Sequence, residues 1–251
     1  MKRLSAILLC ISSVAVSAGG LPKIFADQLQ KESIRIGRNT IVRYLLFLPS
    51  TYSQADGRQW PLILYLHGST ERGNDVDMVR RNGLPAYLPQ QPGFPFVVVS
   101  PQLFAGKDHW DPNELKEFLA SVVARLHVDR DRIYMTGWSL GATGTWETAK
   151  RFPRLFAAIA PVAGDADTRQ ASLLRGIPIW VFHGAEDANV PVSQSINMVE
   201  ALRDCGAEVR FTLYKDYRHD SWIPTYSNPA LFQWFLQQRA SHAGSRSGSP
   251  S

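Results

Sequence analysis

Six times in this chain a short, uninterrupted apolar run stops abruptly. The runs are Leu62–Leu66, Phe96–Ser100, Ile133–Thr136, Ala157–Val162, Ile177–Phe182 and Val209–Tyr214. Four of them end at or just before a glycine: His67-Gly68, Gly137, Ala163-Gly164 and His183-Gly184. A run with no polar alternation marks a strand buried on both faces, which a parallel sheet provides. Between the runs lie stretches with helical spacing: Asn113–Leu126, Ser139–Phe152, Ser193–Cys205 and Pro229–Arg239. Asp111-Pro112 is a helix start signal, and Gly206 a stop. Upstream, Ile34–Ile36 and Thr40–Leu48 flank the turn Gly37-Arg38-Asn39 and read as a hairpin. Strands alternating with helices predict an α/β fold, a mostly parallel sheet of about eight strands with helices on both faces.

The ends of the chain read differently. Lys2-Arg3, the apolar stretch Leu4–Val16 and the small residues Val16-Ser17-Ala18 make residues 1–18 an expected signal peptide, cleaved after Ala18. Residues 19–240 form one expected domain, and the Ser/Gly-rich segment 241–251 an expected disordered tail. The mature protein is therefore expected in the periplasm or medium, with no stable membrane anchor. Cys10 leaves with the signal, so Cys205 has no intramolecular partner. The net charge of +5 becomes +3 once Lys2 and Arg3 are gone, and the basic residues are scattered. Nothing there points to nucleic acid. His109, His127 and His242 have no partners at metal-ligand spacing, so no metal is expected.

In a sheet of this kind ligands bind beyond the carboxyl ends of the strands. There the sequence places Gly137-Trp138-Ser139-Leu140-Gly141 on a strand-to-helix turn. Such a turn exposes a serine, and the helix behind it favours developing negative charge. A serine nucleophile needs a base and a group to orient that base. Asp187 follows the fifth run and His219 the sixth, giving the order Ser, Asp, His. Asp165, one strand earlier, competes with Asp187 for the acid, and Glu186 is adjacent.

These segments resemble the α/β-hydrolases, in particular secreted esterases related to carboxylesterases, dienelactone hydrolases and the catalytic domain of prolyl oligopeptidases. The similarity includes an HG…ERG…N loop, here His67-Gly68-Ser69-Thr70-Glu71-Arg72-Gly73-Asn74. It implies a single-domain α/β-hydrolase fold with Ser139 as nucleophile, His219 as base and then acid, and Asp187 as orienting carboxylate. It also implies an oxyanion hole from the backbone N–H groups of Ser69 and Leu140, with Glu71 and Arg72 bracing the loop. No cofactor is implied. His67 and His183 read as packing and turn residues. Trp138, Trp110 and Trp222 lie in or near the site loops and are expected to form an aromatic wall for an acyl or aryl group. The expected activity is hydrolysis of a small-molecule or polysaccharide-linked carboxylic ester. A peptidase of the prolyl oligopeptidase kind and a non-catalytic binding protein on the same scaffold are the alternatives.

Overall fold

The computed structural model describes residues 29–91 and 93–240. The expected signal peptide and the tail from 241 lie outside the described residues. Eight strands form one sheet: β1 Gln30–Ile36, β2 Thr40–Phe47, β3 Trp60–Leu66, β4 Val97–Pro101, β5 Val128–Trp138, β6 Ala158–Val162, β7 Ile179–Gly184 and β8 Val209–Tyr214. Their order across the sheet is β1-β2-β4-β3-β5-β6-β7-β8. The β1–β2 and β2–β4 pairs are antiparallel and every later pair is parallel. This is the α/β-hydrolase fold.

Among the described residues six α-helices accompany the sheet: α1 Leu84–Tyr87, α2 Pro112–Val123, α3 Leu140–Arg151, α4 Ser193–Asp204, α5 Trp222–Tyr226 and α6 Pro229–Gln237. The apolar runs divide by their two-residue period into two cores. Leu62, Leu64, Leu66, Val97 and Val99 pack on one side with Phe118 and Leu119 of α2, Trp146 of α3 and Met198 and Leu202 of α4. Ile63, Tyr65 and Val98 pack on the other with Leu84 of α1, Tyr226 of α5 and Phe232, Trp234 and Phe235 of α6. Each uninterrupted run is therefore two alternating patterns laid over each other.

β8 departs from the expectation of burial on both faces. It closes the sheet and pairs only with β7, and none of its six residues is fully buried. β5 begins earlier than its apolar run because its first turn of chain, Asp129 to Arg132, is polar. Asp129 instead accepts ion pairs from Arg132 at 2.7 Å and Arg239 at 3.2 Å. Helix α5 and the short 3-10 turns between β3 and β4 were not apparent from periodicity.

The chain leaves β3 to form β4 on one side, then returns past β3 to form β5 on the other. That reversal opens a crevice beyond the carboxyl ends of β3 and β5, the topological switch point of the sheet. His67-Gly68-Ser69 and Ser139 stand at those two ends.

Candidate active site

Ser139 sits between β5 and α3 with φ 56° and ψ −120°. A non-glycine residue there is strained by about 1–3 kcal/mol and persists only where its surroundings hold it. Here they do. Ser139 N–H donates to Val162 O at 2.9 Å, and Ser139 O accepts from Ala142 N at 2.8 Å and Thr143 N at 3.1 Å. The flanking glycines are there for lack of space. A Cβ on Gly137 would come within 2.3 Å of Gly141 O, and one on Gly141 within 2.0 Å of Leu66 O. The start of α3 is thus pressed onto the ends of β3 and β5, and that contact turns the serine outward.

His219 arrives from the loop after β8. Its Nε2 lies 2.8 Å from Ser139 Oγ and its Nδ1 2.8 Å from Asp187 Oδ2. The Asp187 side chain is fully buried, whereas that of His219 is 17% exposed. Asp187 Oδ1 accepts the backbone N–H groups of Asn189 and Val190, both at 2.9 Å. These donors fix the orientation of the carboxyl group, leaving Oδ2 to face His219. Asp165 instead accepts a hydrogen bond from Thr143 Oγ1, and Glu186 faces Arg218 at 3.7 Å. Of the three acids weighed from sequence, Asp187 is the one at His219.

Ser69 and Leu140 begin a 3-10 turn after β3 and helix α3, respectively. Backbone N–H groups in a first helical turn have no intrahelical acceptor, and both of these belong to such a turn. The loop that carries Ser69 is held from both sides. Glu71 is buried and its Oε1 accepts from Thr70 Oγ1 and Asn82 Nδ2. Arg72 reaches outward, from Nε to Ser69 O at 3.0 Å and from Nη1 to Lys107 O at 3.1 Å.

The three tryptophans differ in how they are packed. Trp138 is only 8% exposed, and its Nε1 donates to His219 O at 2.8 Å while its ring lies 5.1 Å from the His219 ring. It holds the histidine loop. Trp110, 5% exposed, packs on His67 at 4.9 Å. Trp222 alone of the three is half-buried, 6.2 Å from Trp138. The sequence shows that these rings are near the site but not which way they face.

His67 and His183 are both buried. His67 Nδ1 donates to Gly68 O at 2.6 Å and Nε2 accepts Leu103 N–H at 2.9 Å. Burial pushes its pKa down to about 4, so the ring is neutral. His183 does something the packing assignment did not contain: its Nε2 lies 3.3 Å from Asp187 Oδ2.

Residues 111–227 match the phospholipase/carboxylesterase family. The bifunctional acetylxylan esterase/xylanase XynS20E of Neocallimastix patriciarum is 27% identical over 150 residues, which are 57% of this chain and 22% of that protein. Among solved structures, a thermostable esterase is 31% identical with a TM-score of 0.74, over 85% of this chain and 64% of that one. Porphyromonas gingivalis dipeptidyl peptidase 4 matches with a TM-score of 0.69 at 15% identity, over 85% of this chain and 36% of that one. At that identity the peptidase shares the fold alone. This chain therefore spans about a fifth of its curated relative and under two thirds of the esterase. The matched segment, the esterase likeness and the sheet order agree on the α/β-hydrolase fold and on similarity to esterases.

Proposed function

We propose that this protein is an exported serine esterase that cleaves carboxylic esters through an acyl-enzyme. The observation that carries the reading is the unbroken relay from Ser139 Oγ through His219 to the buried carboxylate of Asp187, 2.8 Å at each step. His219 Nε2 takes the serine proton as Oγ attacks the ester carbonyl. The N–H groups of Ser69 and Leu140 receive the negative charge that develops on the carbonyl oxygen. His219 then gives its proton to the departing alcohol. A water deprotonated by the same nitrogen releases the acid. Every step uses side chains and backbone of this chain, so no cofactor enters. The match to the phospholipase/carboxylesterase family and the esterase neighbour support ester over amide.

Within esters, the reading favours ester groups carried on a polysaccharide. The curated relative is named as an acetylxylan esterase. A cleft of about 370 Å³ also runs between the β1–β2 turn and α2, lined in part by Ile41, Phe104, Trp110 and Glu114. Ile41 and Phe104, 54% and 53% exposed, are the most exposed of the large apolar side chains described. Apolar faces beside polar groups suit a sugar ring. The wall of this cleft is bonded to the oxyanion loop through Leu103 N–H to His67 and Arg72 to Lys107 O.

The test compares wild type with Ser139→Ala on p-nitrophenyl esters from acetyl to long acyl chains, and on acetylated xylan. The reading expects turnover of short esters and release of acetate from the polymer, both lost in the variant. Activity confined to long-chain emulsions, or unaffected by the substitution, contradicts it. Export is tested by the N-terminus of the mature protein, expected at Gly19. Among the described residues no helix is long and apolar enough to cross a membrane.

A further inference from the structure

His183 is the penultimate residue of β7, four residues before Asp187, and is completely buried. Its contacts define its hydrogens. Nε2 lies 2.9 Å from Val190 O, which can only accept, so Nε2 carries the proton. Nδ1 lies 2.7 Å from Ser195 Oγ, on the first turn of α4. Desolvation lowers the pKa of His183, so the ring is neutral and Ser195 donates to Nδ1. Nε2 also lies 3.3 Å from Asp187 Oδ2, a longer contact than its bond to Val190 O. That oxygen is the one that receives His219 Nδ1.

We infer that His183 is a positioning residue for the site: its Nε2–H, bonded to Val190 O and also within 3.3 Å of Asp187 Oδ2, is a secondary side-chain donor to that carboxylate, and with Ser195 it sets how strongly the carboxylate holds His219. The inference rests on the esterase reading above. It gives the network a direction, Ser195 to His183 to Asp187 to His219 to Ser139. A donor to Oδ2 spreads the charge of the carboxylate and weakens its hold on a protonated His219. Without it, His219 is more basic.

The other charged groups around His219 lie on the two loops that carry it and Asp187. Asp220 Oδ1 accepts Arg218 N–H, and Arg218 faces Glu186 at 3.7 Å. The end of β5 and the start of α3 present Trp138 and Ser139 to the ring. None of these contacts involves His183.

The experiment follows the rate at which a serine-directed phosphonate labels Ser139 as a function of pH, in wild type, His183→Phe, His183→Gln and Ser195→Ala. The acid limb of such a profile reports the His219 pKa in the free enzyme. In His183→Phe the limb is expected to move to higher pH by roughly half a unit, with slower labelling on the plateau. His183→Gln restores an N–H and is expected to return the limb toward wild type. Ser195→Ala keeps the imidazole but removes the hydroxyl that polarises it. It is expected to move the limb the same way by less, and it tests the inference even if His183→Phe does not fold. A plateau loss in His183→Phe with the limb unmoved, or a His183→Gln profile identical to that of His183→Phe, overturns the inference and leaves the esterase reading standing. Wild type that is not labelled at Ser139 at any pH overturns both.

Discussion

The chain contains two His-Gly steps, one at the end of β3 and one at the end of β7, and they look alike in every local respect. Each follows a buried strand, and each histidine is fully buried. Each glycine admits something that a side chain would displace: a Cβ on Gly68 would lie 2.9 Å from the Trp138 ring, and one on Gly184 2.2 Å from Arg218 O. Desolvation lowers both histidine pKa values. Yet His67 spends both nitrogens on backbone groups, Gly68 O and Leu103 N–H, whereas His183 faces a carboxylate. The difference is made four residues downstream, where the β7 loop supplies Asp187 and the β3 loop the buried Glu71. The β3 end therefore carries a loop braced by Glu71 and Arg72, and the β7 end a carboxylate within reach of its own histidine.

That contrast breaks most visibly at the acid. Asp187→Asn keeps the shape but removes the charge that holds the His219 Nδ1–H tautomer. A fall of about four orders of magnitude in kcat on a short ester is expected. Asp165→Asn, which changes only the partner of Thr143, is expected to stay within about threefold of wild type. Comparable losses in both variants would remove the asymmetry between the two strand ends.

The next effect is on the frame. Gly141→Ala brings a Cβ to within 2.0 Å of Leu66 O, a backbone atom that cannot step aside. We expect a loss of about 2–4 kcal/mol in unfolding free energy, read by urea denaturation. A variant as stable as wild type would show that α3 is not pressed against β3.

The two histidines also shape stability against pH. The folded pKa of His67, about 4, lies below its ordinary 6.5, so the unfolded chain takes up the proton first. Stability is complete above pH 6.5 and is lost as the pH falls from 6.5 toward 4, by up to about 3 kcal/mol from His67. His183 acts in the same direction. His67→Gln is expected to flatten this slope in urea titrations while leaving the acid limb of Ser139 labelling where it was. An unchanged slope would mean that His67 does not govern the acid loss.

The smallest effect belongs to Trp138→Phe, which keeps a ring but loses the N–H to His219 O. A drop of roughly three- to tenfold in kcat/KM, about 1 kcal/mol, is expected, with KM little changed. A rise in KM alone would return Trp138 to the substrate wall.

What the sequence made legible follows from how local each signal is. Parallel strands buried on both faces write themselves as unbroken apolar runs, so β3, β4, β6 and β7 were found within a few residues. β8 carries the same kind of run, Val209-Arg210-Phe211-Thr212-Leu213-Tyr214, but an edge strand has only one neighbour, and no run encodes that. The short turns between β3 and β4 are stabilised by contacts such as Asn82 to Glu71, eleven positions away, which periodicity cannot register. The positions of Ser139, Asp187 and His219 were readable because each sits just past a strand. The orientations of Trp138 and Trp110 depend on how loops from different strands meet, and the contact of His183 with Asp187 on how the β7 loop turns back on its own strand; only the folded chain supplies either.

The most direct test of the account is the site and rate of phosphonate labelling in wild type, Ser139→Ala and Asp187→Asn at neutral pH. The account predicts a single adduct on Ser139 in wild type, none in Ser139→Ala, and labelling of Asp187→Asn slowed by orders of magnitude. An adduct on another residue, or an Asp187→Asn protein labelled as fast as wild type, would contradict it.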